Sequence, residues 1–278
     1  VKPQETNMTK QLETLLIGGA GKTGRRVETR LRARGVPVRV ASRSAETRFD
    51  WADESTWEPA LGEARAVYIT FYPDLAVPWA AERVGKLARL ATERGAERLV
   101  LLSGRGEHQV WPAERAVREA GAAFTIVRCA FFCQNFSEGA LVDGILQGEL
   151  AFPAGDVREP FVDAEDIADV VAAALTDERH AGRIYDLTGP RLMSFGDAVT
   201  EISRLSGRSV RYTPVSGEAY REMLAPFLPA EQASFLVELF GMLLDGHNSL
   251  LTDGVERALG RKPRDFSEYA RDAASVWR

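Results

Sequence analysis

Gly18, Gly21 and Gly24, spaced three apart with Lys22 and Thr23 between the last two, are the residues whose types and spacing most directly imply chemistry. They follow the apolar run Leu15-Leu16-Ile17 and open a helical pattern running from Lys22 to Arg34. A strand, a glycine-rich turn and a helix in that order aim backbone N–H groups and the positive end of a helix dipole at a pyrophosphate. The spacing therefore predicts a dinucleotide site. Gly21-Lys22-Thr23 also looks like the end of a triphosphate loop, but that loop needs a glycine at position 16, where the chain has Leu16.

The end of the second strand separates the two common dinucleotides. An acid there binds the ribose 2′-hydroxyl of NAD, whereas an arginine accepts the 2′-phosphate of NADP. The segment here is Val40-Ala41-Ser42-Arg43-Ser44, with no acid. Arg43 predicts NADP(H), with Lys22 as a second charge toward the phosphate. Asp50 is the candidate partner of the adenine amino group, or else starts a turn. Phe71, with Tyr72 and Pro73, is expected beside the nicotinamide ribose.

The elements that must hold these residues alternate. Strands are predicted at Thr14–Ile17, Val36–Ser42, Arg48–Asp50, Ala66–Thr70, Arg98–Ser103, Phe124–Arg128 and Ile184–Leu187. Helices fall at Lys22–Arg34, Leu75–Arg94, Pro112–Ala120 and Glu165–Thr176, the last with Asp163 and Asp166 in the spacing of a capping box. Short apolar strands separated by helices imply an α/β fold, a doubly wound parallel sheet of Rossmann type. After Leu187 helices predominate (Phe195–Ser206, Gly217–Ala225, Glu231–Leu244, Gly254–Leu259), punctuated by prolines. The expected organisation is a disordered leader over 1–11, a dinucleotide domain over 12–188 whose segment 129–160 contributes to the substrate crevice, and a smaller, mostly helical substrate lobe over 189–278.

Net charge is −5, which gives no bulk attraction for nucleic acid or an acidic membrane. No apolar run is long enough for a membrane span and the start has no signal-peptide core, so a soluble cytoplasmic protein is expected, monomeric or homodimeric. Cys129 and Cys133 read as small buried fillers, and no metal site is expected.

Over about residues 12 to 277 the chain resembles the NmrA-like branch of the atypical short-chain dehydrogenases/reductases. Within it the chain is most similar to the ergot-alkaloid iminium reductase type (agroclavine dehydrogenase, festuclavine synthase) and its bacterial relatives. The segments that carry the resemblance are Gly18 to Gly24, Phe49-Asp50-Trp51, Val100 to Ser103, Asn135-Phe136-Ser137-Glu138, Pro160-Phe161-Val162 with Asp166-Ile167, Leu187-Thr188-Gly189-Pro190 and Gly260 to Phe266. The resemblance implies reduction of a bulky aromatic secondary metabolite of the kind met in antibiotic biosynthesis. The same branch contains quinone and dye reductases, polyketide ketoreductases and redox-sensing regulators that bind NADP without turnover. A regulator is therefore the alternative reading.

Ordinary members of the superfamily use a serine with a Tyr-x-x-x-Lys pair, the tyrosine protonating the developing alkoxide. Here Ser103 ends the serine strand, but Gly106 and Val110 stand at the tyrosine and lysine positions. The gap favours an acceptor that is already cationic, that delocalises charge, or that supplies its own proton from an adjacent hydroxyl. Ser103 is the candidate donor to the acceptor atom. His108 is the candidate acid, imidazole being the side chain that ordinarily exchanges its proton near neutrality. Phe132, Asn135 and Phe136, after the sixth strand, are expected to line a pocket for a flat substrate, with Phe161 and Met193.

Overall fold

A computed structural model describes residues 13–278; the expected leader 1–11 lies outside the described residues. In chain order the strands are β1 (Thr14–Ile17), β2 (Val38–Ser42), β3 (Thr47–Arg48), β4 (Ala66–Ile69), β5 (Arg98–Gly104), β6 (Ala123–Cys129), β7 (Glu149–Phe152), β8 (Arg158–Glu159), β9 (Arg183–Leu187), β10 (Met193–Ser194) and β11 (Arg211–Pro214). The helices are α1 (Gly24–Ala33), α2 (Trp57–Leu61), α3 (Ala80–Glu93), α4 (Trp111–Arg118), α5 (Val142–Gln147), α6 (Ala164–Thr176), α7 (Phe195–Ser206), α8 (Gly217–Leu224), α9 (Ala230–Leu243), α10 (Gly254–Leu259) and α11 (Phe266–Asp272).

Seven strands form one parallel sheet in the order β3-β2-β1-β4-β5-β6-β9. All four residues of β1 and of β4 are buried, because helices cover both faces. The pleat sends alternate side chains to opposite faces. Leu15, Ile17, Val67, Ile69, Leu99 and Leu101 pack with Val84 and Leu87 of α3 and Val117 of α4. Leu16, Tyr68, Val100 and Val127 pack with Val27 and Leu31 of α1 and Ile167 and Val171 of α6. This is the doubly wound α/β fold that the alternating pattern predicts.

A third core, built on Phe136, Phe152, Phe161, Phe195, Phe266 and Trp277, belongs to the lobe beside the sheet. It draws on residues on both sides of position 188. Two short ladders accompany the lobe's helices, β7 with β11 and β8 with β10, strands too short to give a pattern in the sequence. The chain also crosses back, for α10 packs on the sheet side with Val255 in the second core. Thr252 Oγ1 and Thr188 Oγ1 hold this return, the Thr252 N–H donating to Thr188 at 3.1 Å.

Two local expectations differ in detail. The helix expected from Leu75 begins at Ala80, because Asp74 Oδ1 accepts from the Ala76 N–H (2.8 Å) in a turn and Pro78 follows. Asp163 does cap α6, accepting from the Glu165 N–H at 2.9 Å, but Asp166 does not reach back to complete a box. It is fully buried and accepts from the Arg264 N–H (2.7 Å) and Arg261 Nη1 (2.6 Å), which fastens the C-terminal segment to α6.

A close backbone approach lies at the start of α1. A Cβ on Gly24 would sit 2.4 Å from Gly19 Cα and 2.7 Å from Gly18 O. Gly24→Ala is expected to cost about 1–3 kcal/mol of stability through this clash. Urea denaturation measures it, and an unchanged midpoint would show that the turn yields freely.

Candidate active site

The site begins at the point where the sheet changes direction. Strand β1 has β2 on one side and β4 on the other, so the connections from their carboxyl ends diverge and leave a crevice. A cavity of about 740 Å³ fills it, lined by Gly18, Ala20, Gly21, Lys22, Thr23 and Arg43 among others. Gly18 turns there with φ +72, and a Cβ on it would stand 2.0 Å from Thr70 Oγ1, so the ends of β1 and β4 can close up only around glycine. Thr23, the N-cap of α1, makes no side-chain cap bond, and the first turn of α1 carries no acid. The helix end thus keeps backbone donors and its positive dipole for an anion. The cradle and the uncapped helix fit a dinucleotide pyrophosphate.

Thr23 is buried, and its hydroxyl accepts from Tyr68 at 2.9 Å. Arg43 is exposed at the cavity rim, with its guanidinium 4.7 Å from the Tyr72 ring centroid. Asp50 also lines the cavity, but its Oδ1 accepts from the Ala52 N–H (2.9 Å), so one oxygen serves the turn. Phe71 packs against Trp51 (4.6 Å between centroids) and Trp79 (4.9 Å), an aromatic wall at this end. Lys22 was expected to join Arg43 at the 2′-phosphate. The structure commits it elsewhere: Nζ donates to Asn135 Oδ1 at 2.7 Å, and burial pulls its pKa down.

A second cavity, about 410 Å³, adjoins the first and shares Lys22, Phe71, Leu102 and Phe132 with it. Its floor is the carboxyl ends of β5 and β6; its roof is Leu239, Phe240 and Leu243 of α9 with Leu244. Ser103, Phe132 and Asn135 line it as expected positions. Phe136, Phe161 and Met193 do not. They are 0–2 % exposed in the lobe core, where the ring of Phe136 packs edge-on to Phe161 and Phe266. Burial of three large apolar groups outweighs exposing them to a crevice. His108 is also displaced: it is exposed in a 3-10 turn over Trp111, outside both cavities. Ser103 Oγ donates to Glu114 Oε1 at 2.6 Å, so its hydrogen is already engaged. Glu114 in turn takes a bidentate pair from Arg128 (2.9 and 2.6 Å).

Gly106, at the tyrosine position, lies where a Cβ would meet Asn248 Oδ1 at 2.2 Å. The loop after α9 occupies that space. Arg105, itself buried, donates to the carbonyls of Asn248 (2.9 Å) and Leu250 (3.0 Å), and Asn248 Nδ2 donates back to Arg105 O (3.3 Å).

The sequence reading missed the carboxyls of this crevice. Glu107 and Glu159 both line it, as does Asp74. Burial, with Asp74 and Glu114 nearby, pushes the Glu107 carboxyl up to about 8. Burial pushes Glu159 up to about 7 against the opposing pull of Arg105, and its Oε1 has no hydrogen-bond partner. Asp74 is raised by burial as well. The available signals were Glu107 one residue past the tyrosine position and the nearly all-round apolar face of α9.

Comparison with known proteins gives the chain its relatives. The model of the NmrA-like family matches residues 109–270. An uncharacterized oxidoreductase, YesF, of Bacillus subtilis (strain 168) is 32% identical, covering 97% of this chain and 98% of that protein. The agroclavine dehydrogenase of Claviceps fusiformis is 28% identical, over 95% and 98%. The triphenylmethane reductase of Citrobacter sp., solved with NADP(H), superposes with a TM-score of 0.74 at 19% identity, covering 94% and 99%.

The raised carboxyls fix the sign of a pH effect. Each holds its proton more tightly folded than unfolded, so stability is fullest below the ordinary glutamate range and falls as pH rises through about 7 and about 8. Between about pH 5.5 and 8.5 the thermal midpoint of the wild type should drop. Glu159→Gln should flatten the drop, and by about 2–4 °C per kcal/mol recovered. A steeper drop in the variant would mean that Glu159 is ionised and paired throughout.

Proposed function

The chain belongs to the NmrA-like family, and from that premise we propose that it is an NADPH-dependent reductase. Its acceptor is a C=O, C=N or quinone-like carbon of a bulky, flat, conjugated small molecule. One observation carries the reading: a cavity built for a dinucleotide opens into a crevice, walled by Phe131 and Phe132 and edged by carboxyls, that a separate lobe roofs over. A protein that senses NADP needs the first cavity and has no use for the second.

When bound, the cofactor supplies hydride at its nicotinamide carbon. The chain's own residues do the rest. The Gly18 to Gly24 turn and the α1 N-terminus hold the pyrophosphate. Arg43, with no acid beside it, takes the 2′-phosphate. Lys22 and Asn135 stand where the two cavities meet, between cofactor and acceptor. Phe131 and Phe132 below and α9 above offer faces for stacking a planar ring system and exclude water from it. The relatives named as agroclavine dehydrogenase and triphenylmethane reductase support acceptors of this conjugated kind.

NADPH should bind at least roughly tenfold more tightly than NADH, and Arg43→Ala should remove most of that difference. Calorimetric titration decides it; equal affinities in the wild type would reject the assignment. Turnover is expected in an NADPH-oxidation screen over quinones, iminium ions, triphenylmethane dyes and hydroxylated polycyclic ketones, and its complete absence would favour a sensor. Tyr72, largely exposed beneath Arg43, is no acid in this reading. Tyr72→Phe should keep turnover within about tenfold, less than the roughly 10²–10⁴ of a lost general acid.

A further inference from the structure

We propose that Glu107 is the proton donor of the crevice, acting on the heteroatom of a neutral conjugated carbonyl or quinone. The inference rests on the reductase reading and adds to it the source of the proton and the charge of the acceptor.

The placement of the carboxyl is set by the backbone. Glu107 follows β5 and folds back over its last residue: a Cβ on Gly104 would lie 1.9 Å from Glu107 Oε1 and 2.2 Å from its Cδ. Gly104 is the residue after Ser103, so the carboxyl lies over the strand end from which the family's serine acts. Among the described residues the Glu107 carboxyl has no hydrogen-bond or ion-pair partner, whereas that of its neighbour Glu114 is held by Ser103 and Arg128. It lines the acceptor cavity under the α9 roof.

Loss of water, more than the surrounding groups, keeps it protonated. Asp74 faces it from the turn after β4, Glu114 from α4 and the Cys129 thiol from the end of β6. Lys22, Arg105 and Glu159 line the same cavity, but Lys22 is bound to Asn135 and Arg105 to the lobe carbonyls. Desolvation and two like charges hold the carboxyl neutral, with its proton available near neutrality. As the acceptor carbon gains hydride, the π pair of its C=O moves onto oxygen. The Glu107 O–H bond breaks, the proton ends on that oxygen, and solvent reprotonates the carboxylate. A permanently cationic acceptor needs no such proton.

The test uses the whole chain. Carboxyl ¹³C NMR of the cofactor-free protein should show a glutamate titrating at about 8 that is absent in Glu107→Gln. With a neutral quinone, Glu107→Gln should lower kcat by about 10²–10⁴ at unchanged NADPH affinity. Wild-type kcat should fall on the alkaline side of the same pKa. Gly104→Ala, which keeps the carboxyl and displaces it, should lower kcat in the same direction. With a cationic triphenylmethane dye, Glu107→Gln should react like the wild type. The proposal alone is overturned if the wild type reduces the quinone and a soluble, NADPH-binding Glu107→Gln does so equally well. It is also overturned if the variant loses only the cationic dye, for Glu107 is then a counter-ion. A wild type that reduces only cationic acceptors of the wider screen likewise overturns the proposal alone, and one that reduces none of them rejects the reductase reading itself.

Discussion

The crevice exists because Arg105 is buried. Its guanidinium leaves water to hold the Asn248 and Leu250 carbonyls, and burial lowers its pKa accordingly. A cation removed from solvent is costly unless its donors find acceptors. Two carbonyls of one loop take a bond each from the guanidinium, and Asn248 returns a bond to Arg105 O. The loop cannot then move away without exposing an unpaired buried charge. Because α9 is joined to this loop, the clamp also sets the roof of the acceptor cavity. The replacement of a bulky tyrosine by Gly106 is part of the same arrangement, since Asn248 stands where that side chain would begin.

The dinucleotide half depends on different physics. It needs glycine where a side chain would collide: Gly18 against the Thr70 hydroxyl, Gly24 against the Gly19 backbone. Both glycines lie in one short turn and are written as residue types. The acceptor half is assembled from β5, β6, the turn after β4 and a lobe more than a hundred residues away. The two halves meet at Lys22 and Asn135, a 2.7 Å bond across 113 residues of chain, so the phosphate loop and the acceptor wall are mechanically joined.

That difference explains what the sequence disclosed. The sheet, its order class and the glycine turn were legible because parallel strands buried on both faces are apolar throughout, as Leu15-Leu16-Ile17 and Ala66 to Ile69 are. Helices α7 and α10 were placed at their observed bounds from periodicity and flanking Ser, Pro and Gly. Phe136, Phe161 and Met193 were assigned to the crevice because an aromatic near a strand end reads alike whether it faces a ligand or a core; only the lobe's packing separates the two. His108 was named as the candidate acid by its ordinary chemistry alone, and Glu107 was passed over. A glutamate becomes an acid at neutral pH only through its surroundings, and Asp74, Glu114 and the α9 roof come from segments whose meeting no local pattern reveals.

The two ways of building an acid at neutral pH also carry different structural demands. A phenol begins above neutrality and must be brought down, which a neighbouring lysine does in an open and hydrated site as well as in a closed one. A carboxyl begins below neutrality and must be brought up, and the largest cause of the shift at Glu107 is loss of water. Water re-entering the cavity lowers that pKa and ionises the group. The acid strength of Glu107 is therefore tied to the seating of α9 and its loop on Arg105, so the proton is held ready only while the crevice is covered. The lysine of the ordinary pair has no counterpart at Val110, which is fully buried in the core. None is needed where desolvation, rather than a fixed cation, sets the proton affinity.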